Sequence, residues 1–256
     1  MANLFRVDNK VAVVVGGAGG IGEALAHGLA EYGAKVVVAD IDPKCEQVAQ
    51  DIMAQEKQEA VGIKFDITDE KSVADLRDKV VAKFGTVDIL VNSQGVNKKF
   101  EATAFPVKDW DFMFAINVRG TMLTCREFGK VMTEKKSGKV VNLSSVRGVR
   151  ATFWSGNEGY SATKAAIDMI TRSLASEWAP YKINVNAIGP STVATKFSER
   201  TLQDPERLKR FLASCPLGRV GQPIDVVGAC VFLTSPASDF ITGQILYLDG
   251  GLTAIG

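Results

Sequence analysis

A run of β-branched residues that leads straight into a cluster of glycines restricts the fold of this chain more than any other feature. Val11 to Val15 is a short apolar run, typical of a strand buried on both faces of a sheet. The segment 16–22 includes five glycines, and the pattern from Glu23 to Tyr32 is helical. Glycines let a backbone approach a pyrophosphate, and a helix N-terminus offers it N–H groups. A glycine cluster alone is often only a turn, but the order strand, glycine loop, helix predicts a dinucleotide-binding site.

Strands and helices alternate along the rest of the chain. The predicted strands after the first are 35–39, 60–65, 87–91, 139–143, 183–188 and 245–248, and the predicted helices lie near 43–57, 69–84, 107–133, 158–178 and 222–234. This alternation predicts a doubly wound parallel sheet of seven strands flanked by helices, the Rossmann type of α/β fold. Since no repeat or linker interrupts it, residues 1–256 are expected to form a single domain. The polar segment 192–216 is expected to be irregular and to close over a substrate as a lid.

The bulk composition excludes several classes of protein. With 256 residues, 46% of them hydrophobic, and a formal charge of +1, the chain can bury a large core and has no charged footprint for nucleic acid or membranes. No signal peptide and no apolar run of about 18 residues is recognisable. The four cysteines are far apart in the sequence, at Cys45, Cys125, Cys215 and Cys230. This spacing is typical of free thiols in a reducing compartment, so we expect a cytoplasmic protein. The one histidine, His27, argues against a metal site and a Ser-His-Asp triad.

An acidic residue ends the second predicted strand. Asp40 stands about 20 positions past the glycine loop, where a carboxylate can bond the adenine ribose hydroxyls and repel a 2′-phosphate. The alternative is an aspartate that caps the helix beginning near Pro43. Because no arginine or lysine follows Asp40 directly, the sequence predicts NAD rather than NADP as the cofactor.

A tyrosine and a lysine lie four positions apart on one predicted helix. Tyr160 and Lys164 therefore share a helix face. A fixed ammonium beside a phenol favours the phenolate and lowers the phenol's pKa from its usual value of about 10. Such a tyrosine can exchange a proton with a substrate at working pH. By themselves the two residues are also what an ordinary helix with a stray aromatic residue and a surface lysine would show.

Taken together, these motifs resemble the short-chain dehydrogenase/reductase family, in its classical form, over essentially the whole chain. Val15 to Gly22 is similar to the family's T-G-x-x-x-G-x-G loop, Asn92 to Gly95 to its N-N-A-G, and Tyr160 to Lys164 to its Y-x-x-x-K. The resemblance assigns the catalytic positions to Asn117, Ser145, Tyr160 and Lys164. It assigns the cofactor contacts to Gly16, Gly19, Gly20, Ile21, Gly22, Asp40, Ile41, Asp66, Ile67, Asn92, Gly95, Tyr160, Lys164, Pro190, Val193 and Thr195.

The chain also departs from the family pattern. Val15 replaces a threonine, Ser93 and Gln94 replace Asn and Ala, and Ser191 replaces a glycine after Pro190. Ser145 and Tyr160 are 15 positions apart (160 − 145), so the loop between them is slightly longer than is usual. None of these changes removes a catalytic group, and they bear on the choice of substrate.

The resemblance implies reversible hydride transfer between nicotinamide C4 and a secondary alcohol or ketone. Tyr160 would act as general base in oxidation and general acid in reduction, and Lys164 would lower its pKa and bond the nicotinamide ribose. Ser145 would donate to the substrate oxygen, and Asn117 would hold a water that leads protons from Lys164 to solvent. In isolation, Ser144-Ser145 is also compatible with a turn and Asn117 with a satisfied polar group of a helix.

The expected substrate contacts are polar. They are Gln94, Arg147, Arg150, Trp154 and Asn157, a set that suits a polyol, a sugar acid or a cyclitol. A solvated loop would have the same composition. Reduction of a 3-oxoacyl group on a carrier protein is a rival, and so is a dinucleotide-sensing module without catalysis. The resemblance further implies a homotetramer, packed through the helices near 107–133 and 158–178 and through the C-terminal strand.

Overall fold

The computed structural model describes residues 3–151 and 156–255. Its strands are β1 (Val11–Val15), β2 (Lys35–Asp40), β3 (Ala60–Lys64), β4 (Ile89–Asn92), β5 (Gly138–Leu143), β6 (Ile183–Pro190) and β7 (Ile245–Leu248). In this part of the chain they form one parallel sheet in the order β3-β2-β1-β4-β5-β6-β7. The predicted fold class, a doubly wound α/β sheet of seven strands, is confirmed.

Helices cover both faces of the sheet. They are α1 (Gly20–Glu31), α2 (Lys44–Gln55), α3 (Glu70–Phe84), α4 (Val107–Met113), α5 (Gly120–Lys135), α6 (Glu158–Trp178), α7 (Glu199–Leu202), α8 (Pro205–Ser214) and α9 (Pro223–Thr234). None of these helices has the length and apolarity needed to cross a membrane. Phe114–Arg119 forms a π-helical turn between α4 and α5, so the predicted helix near 107–133 is divided into three pieces.

The apolar strand residues divide between two cores because successive side chains point to opposite faces. Val14 of β1 packs in the cluster beneath α1, α2 and α9, whereas Val13 packs in the cluster beneath α3, α5 and α6. Both side chains are completely buried. The β-branched run at β1 is therefore what a central strand covered on both faces requires.

The strand order reverses at β1, which has β2 on one side and β4 on the other. Val13 pairs with Val37 of β2 and with Leu90 of β4. In open α/β sheets, ligands bind in the crevice at the carboxyl ends of the strands where the order reverses. The loops that follow β1 and β4 meet at this point, since a Cβ placed on Gly16 would lie 2.6 Å from the Gln94 backbone nitrogen.

The prediction of an irregular segment at 192–216 is wrong, because α7 and α8 lie within it. Asp204 begins α8 as its N-cap, and its carboxylate accepts hydrogen bonds from the backbone of Glu206 and Arg207, both at 3.1 Å. Pro205 occupies the first turn, where its missing N–H is not needed. The sequence Asp204-Pro205 is typical of a helix start, but the polar residues around it led to the prediction of an irregular segment.

Candidate active site

The tyrosine and the lysine of α6 lie on the same face of the helix, and both are buried. The Lys164 Nζ is 5.6 Å from the centre of the Tyr160 ring. It donates a hydrogen bond to the carbonyl oxygen of Leu143, the last residue of β5, at 2.6 Å. This bond ties the ammonium to the carboxyl edge of the sheet, so the lysine has one fixed position beside the phenol.

Ser145 approaches the same phenol from the loop after β5. Its hydroxyl is a hydrogen-bonding neighbour of Tyr160 that favours the phenolate. The Ser145 Oγ also donates to the Pro190 carbonyl oxygen at 3.3 Å and accepts from the Arg147 backbone N–H at 3.2 Å. The structure thus brings Ser145, Tyr160 and Lys164 together at the ends of β5 and β6, although they are separated in sequence.

Burial raises the pKa of Tyr160 to about 12, although the Ser145 hydroxyl and the Arg147 charge act in the opposite direction. The expected lowering of this pKa is therefore not found in the protein alone. The reason is that a phenolate loses its hydration here, while the neighbouring ammonium is directed at the Leu143 carbonyl. The neutral phenol, which is a proton donor, is the stable form at neutral pH.

A buried carboxylate lies one helical turn beyond Lys164. Burial lowers the pKa of Lys164 to about 8, and the charge of Asp168, one turn further along α6, raises it. Asp168 is 3% exposed, and neither of its oxygens accepts a hydrogen bond of good geometry from a described residue. Its own pKa is raised by burial, with Ser144, Arg172 and Lys164 acting in the opposite direction. Asp168 therefore helps to keep Lys164 protonated at neutral pH.

Asn117 lies in the π-helical turn and holds the loop that follows β4. Its side chain accepts a hydrogen bond from the Val96 backbone N–H and donates one to the Val96 carbonyl, both at 2.9 Å. It also donates to the Thr163 Oγ1 at 3.1 Å. π-helical turns often occur at functional sites. The amide thus positions the loop, and the water that Asn117 was expected to hold stays a prediction.

Two polar residues of the β4 region are engaged elsewhere. Asn92 is 2% exposed, and its amide bonds the Asn142 Oδ1 at 2.9 Å and the Thr124 hydroxyl at 2.7 Å. Its side chain therefore links β4 to β5 and α5, and its predicted contact with the cofactor stays a prediction. Gln94 was expected to point into the substrate cavity, but its Nε2 donates to Thr121 of α5 at 2.8 Å, and its Oε1 is buried without a partner among the described residues. The Gln94 side chain, which is longer than the alanine of the family pattern, is therefore held against α5 by its bond to Thr121.

The loop after β1 forms a cradle from which side chains are excluded. A Cβ on Gly22 would overlap the Gly16 carbonyl oxygen and lie 3.2 Å from the Gly17 Cα. Gly16 itself has a φ of +75°, a conformation that favours glycine. Helix α1 begins at Gly20, three residues before the predicted start, and its N-cap, Gly19, brings no side chain to the free N–H groups. These features fit a pyrophosphate bound at the helix N-terminus.

Asp40 lies beside this cradle at the end of β2. Its carboxylate accepts hydrogen bonds from the backbone N–H of Ala18 and of Asp42, both at 3.0 Å. The first of these bonds ties the carboxylate to the glycine loop, so its charge is fixed next to the position expected for the adenine ribose. Nearby Lys44 is paired with Glu23 at 2.7 Å.

The remaining residues expected to contact the cofactor lie along the same edge of the sheet. Ile41 is exposed after β2, and the Asp66 carboxylate accepts from the Thr68 backbone at 2.8 Å. Ile67 packs against Gly120, where a Cβ would lie 2.7 Å from its Cγ1. Beyond β6, Thr195 approaches the glycine loop, since a Cβ on Gly20 would lie 3.4 Å from its Cγ2. The segment that carries Thr195 follows the end of β6 at Pro190, and a bridge between Val193 and Gly221 holds it in place. Ile21 lies in the first turn of α1, and Gly95 lies in the loop after β4.

The expected substrate residues are partly brought together. Asn157 accepts a hydrogen bond from the Asn97 amide at 3.0 Å. Arg147 donates to the Ala151 carbonyl at 2.8 Å, and Arg150 bonds the Leu252 carbonyl near the C-terminus. Arg150 is thus turned toward the C-terminal segment. Trp154 lies outside the described residues.

Several neighbours of the site were not assigned as site residues from the sequence, although Phe197 lies in the segment predicted to form a lid. Phe197, in the segment before α7, stacks at a tilt on Tyr160, with 5.9 Å between the ring centres. Asn97 and Lys99 lie in the loop after β4 that Asn117 holds. Asp168 could have been found, because it follows Lys164 by one helical turn (168 − 164 = 4).

Comparison with known proteins agrees with this geometry. A family model described as enoyl-(acyl carrier protein) reductase matches residues 16–253. The chain belongs to the short-chain dehydrogenase/reductase family. It is 33% identical to 5-keto-D-gluconate 5-reductase of Escherichia coli over 254 residues, 98% of each chain, and 37% identical to an NAD-dependent glycerol dehydrogenase of Listeria innocua over 251 residues, 97% of this chain and 96% of that one.

A solved structure shows the same fold. It is a gluconate 5-dehydrogenase from Burkholderia cenocepacia in complex with NADP and tartrate, with a TM-score of 0.95, 33% identity and coverage of 99% of both chains. The relatives thus share the whole architecture of this chain, and they differ from one another in their named substrates.

Proposed function

We propose that this protein is an oxidoreductase that interconverts a secondary alcohol and a ketone of a polyol, sugar acid or cyclitol, with NAD as cofactor. The observation that carries the proposal is that Ser145, Tyr160 and Lys164 meet at the carboxyl ends of β5 and β6, on the same edge of the sheet as the glycine loop after β1. The names of the relatives, which include a sugar-acid reductase and a polyol dehydrogenase, support this class of substrate.

In reduction, the neutral phenol of Tyr160 donates its proton to the carbonyl oxygen as that oxygen gains charge, and the Ser145 hydroxyl donates a hydrogen bond to the same atom. In oxidation, the phenolate takes the proton back. When bound, nicotinamide supplies or accepts the hydride. The Lys164 ammonium, held on Leu143, lies 5.6 Å from the centre of the Tyr160 ring and would bond the nicotinamide ribose of a bound cofactor. Asn117 maintains the loop beyond β4 against which the substrate lies.

A substrate panel tests the proposal. We expect oxidation of polyols or sugar acids with NAD, and no comparable reduction of 3-oxoacyl thioesters with NADPH. A preference for the acyl thioesters would instead assign the rival carrier-protein reduction. Binding of NAD without turnover of any alcohol or ketone in a broad panel would favour a sensing role.

The fixed charge of Asp40 is expected to set the cofactor preference. Placing a 2′-phosphate beside this carboxylate should lower kcat/KM with NADP at least about tenfold relative to NAD, an effect of roughly 1.4 kcal/mol. The Asp40→Asn variant keeps an acceptor for the Ala18 N–H but loses the charge, so the NAD to NADP ratio of kcat/KM should fall. The measurement is steady-state kinetics with both cofactors.

Asp42→Asn is the matched control, because Asp42 lies two residues further on and its carboxylate accepts from the Lys44 backbone. The control should keep the wild-type ratio. The gluconate 5-dehydrogenase from Burkholderia cenocepacia was solved with NADP. A preference for NAD would therefore distinguish the cofactor use of this chain from the cofactor bound in that relative. Equal efficiency of the wild-type enzyme with both cofactors would overturn the assignment.

The pKa values of Tyr160 and Lys164 predict different pH profiles for reduction and for oxidation. The pKa of Tyr160 is raised to about 12 and that of Lys164 is lowered to about 8, so phenol and ammonium are both protonated near neutral pH. Reduction uses the proton on Tyr160, and its kcat/KM should stay level up to about pH 8. Oxidation uses the phenolate, and its kcat/KM should increase as the pH rises from about 6 to about 8. An oxidation rate that decreases over this range contradicts Tyr160 as the base.

A homotetramer is part of the proposal. The face formed by α5 and α6 carries a shallow apolar cavity of about 580 Å³, and Met122 and Met169 at its edge are 41% and 57% exposed. A second copy of the chain would cover these side chains. Met169→Glu should therefore give smaller species in sedimentation, whereas Met53→Glu, at an exposed site on α2, should not. An unchanged sedimentation coefficient for Met169→Glu would remove this face from the assembly.

Two further expectations remain proposals. We propose that 192–216 acts as the lid, on the grounds that Phe197 packs near the Tyr160 ring and that Thr195 lies close to Gly20 of the glycine loop. We also propose a cytoplasmic location, which is supported by the four cysteines, since all of them are buried free thiols.

A further inference from the structure

The turn that follows β7 (residues 249–253) is closed from within by a buried carboxylate. Gly251 has a φ of +89°, a conformation that favours glycine and lets the chain reverse direction. Asp249, which is 8% exposed, accepts hydrogen bonds from the backbone N–H of Gly251 at 2.9 Å and of Thr253 at 2.7 Å. It also accepts one from the Thr253 hydroxyl at 2.6 Å. The turn after β7 is thus held in one shape, and the carbonyl of Leu252 within it has one fixed direction.

Arg150 ties the loop after β5 to this turn. Its guanidinium donates a hydrogen bond to the Leu252 carbonyl, although the two residues are 102 positions apart in the sequence. Its backbone N–H donates to the Val146 carbonyl at 2.9 Å. The Arg147 guanidinium donates in turn to the Ala151 carbonyl at 2.8 Å. The backbone on both sides of Arg150 is therefore bonded within its own loop, and the Arg150 side chain joins that loop to the turn after β7.

The same loop presents the catalytic serine. Ser145 begins the short turn that ends at Gly148, whose backbone N–H donates to the Ser145 carbonyl at 3.0 Å. The Arg147 backbone N–H donates to the Ser145 Oγ at 3.2 Å, and this oxygen donates to the Pro190 carbonyl at 3.3 Å. A continuous series of hydrogen bonds thus leads from the turn after β7 to the hydroxyl that neighbours Tyr160.

The turn after β7 also contacts the end of the proposed lid. The Leu217 backbone N–H donates to the Gly250 carbonyl at 3.0 Å. A Cβ on Gly251 would lie 2.9 Å from the Pro216 Cγ, so the two backbones pack closely. The segment 192–216 therefore ends against the same turn that Arg150 bonds. The loop after β5 and the lid segment share one anchor.

We propose that Arg150 is a positioning residue of the reaction, which fixes the loop that presents Ser145 by bonding the Leu252 carbonyl. This inference rests on the proposed alcohol and ketone chemistry and goes beyond it. Arg150 acts on the substrate through the Ser145 hydroxyl and makes no contact of its own with the substrate. A hydrogen bond from a charged guanidinium is among the stronger ones in proteins, so a single carbonyl acceptor is enough to hold the loop.

The first test compares two substitutions of the same residue. Arg150→Met keeps an apolar stem but loses the donors, and it should lower kcat about 10-fold, part of the roughly 10²- to 10³-fold that loss of an oxyanion donor costs. Arg150→Lys keeps a donor and should recover most of this loss. The Kd for NAD, measured by calorimetry, should stay within about twofold of wild type in both variants, a change below roughly 0.4 kcal/mol.

A double variant distinguishes positioning of Ser145 from general damage to the fold. In a Ser145→Ala background the hydroxyl to be positioned is absent, so adding Arg150→Met should lower kcat no further. A loss in this background as large as in the wild-type background would overturn the inference.

The turn after β7 offers a test from the other side of the contact. Asp249→Asn replaces one accepting oxygen by an NH₂ group and should loosen the turn, so it should lower kcat in the same way, and its effect should not multiply with that of Arg150→Met. Asp88→Asn is the matched control, because Asp88 is 9% exposed and accepts from the Val11 backbone N–H at 2.9 Å, at the opposite edge of the sheet. It should keep wild-type kcat. A raised KM for the substrate in Arg150→Met, with wild-type kinetics in Asp249→Asn, would assign Arg150 to the substrate instead and overturn the inference.

Hydrogen–deuterium exchange tests the tie without any turnover. In the free protein, the backbone N–H groups of Arg147 and Val149, which are bonded within the loop, should exchange faster in Arg150→Met than in wild type and at nearly the wild-type rate in Arg150→Lys. Wild-type exchange in Arg150→Met would overturn the inference and leave the oxidoreductase assignment intact. Absence of turnover in the wild-type enzyme with any alcohol or ketone would overturn the proposed function itself.

Discussion

Replacing Tyr160 with phenylalanine is expected to lower kcat by about 10²- to 10⁴-fold, the range associated with loss of a general acid or base. In the proposed mechanism this hydroxyl, a hydrogen-bonding neighbour of Ser145, is the group that exchanges the proton. Phenylalanine preserves the ring that packs against Phe197. Fold and cofactor binding should therefore survive, and the loss should appear in turnover in both directions.

The measurement combines steady-state turnover with titration of NAD binding by calorimetry. Tyr181→Phe is the matched control, because Tyr181 is 40% exposed at the end of α6 and away from the sheet edge that holds the site. It should keep wild-type turnover. Should Tyr160→Phe retain more than a few per cent of wild-type kcat while binding NAD normally, the role assigned to this phenol would have to be abandoned.

The fold was predictable because its signals are local. The apolar run at β1 and the glycines after it specify a central strand and a loop without side chains, and each strand that follows is marked by a similar run. Helix α8 was missed because its cap, Asp204, lies in a polar segment without strong apolar periodicity. The π-helical turn Phe114–Arg119 was also missed, and the bond from the Val96 N–H to the Asn117 amide within it is made only in the folded chain.

The candidate site was predictable to a similar degree. The spacing of Tyr160 and Lys164 is a property of one helix and could be recognised from the sequence. The direction of the Tyr160 pKa could not, because it depends on how deeply the hydroxyl is buried by Ser145, Phe197 and their neighbours. Motifs specify the chemistry of this chain, and tertiary packing decides the charge states and the substrate end of the site.

Replacing Gly22 with alanine is expected to prevent normal cofactor binding. The added Cβ would overlap the Gly16 carbonyl oxygen and lie 2.9 Å from its carbon. Both are backbone atoms, so no side-chain rotation can relieve the conflict, and the loop must shift away from the N-terminus of α1. Gly16 has little room to shift, because the Gln94 backbone lies so close that a Cβ built on Gly16 would be 2.6 Å from the Gln94 nitrogen. We expect the Kd for NAD to increase at least about 100-fold, equivalent to roughly 2.8 kcal/mol.

A second glycine of α1 separates loss of the cradle from loss of stability. A Cβ on Gly28 would overlap the Val227 Cγ1 of α9, so Gly28→Ala also crowds the helix, but far from the loop. Both variants should unfold at lower temperature, since overpacking costs about 1–3 kcal/mol. The Kd for NAD, measured by calorimetry below the unfolding transition, should rise in Gly22→Ala and stay near wild type in Gly28→Ala. Equal weakening in both would show that general destabilisation, and not the shape of the glycine loop, controls the affinity for the dinucleotide.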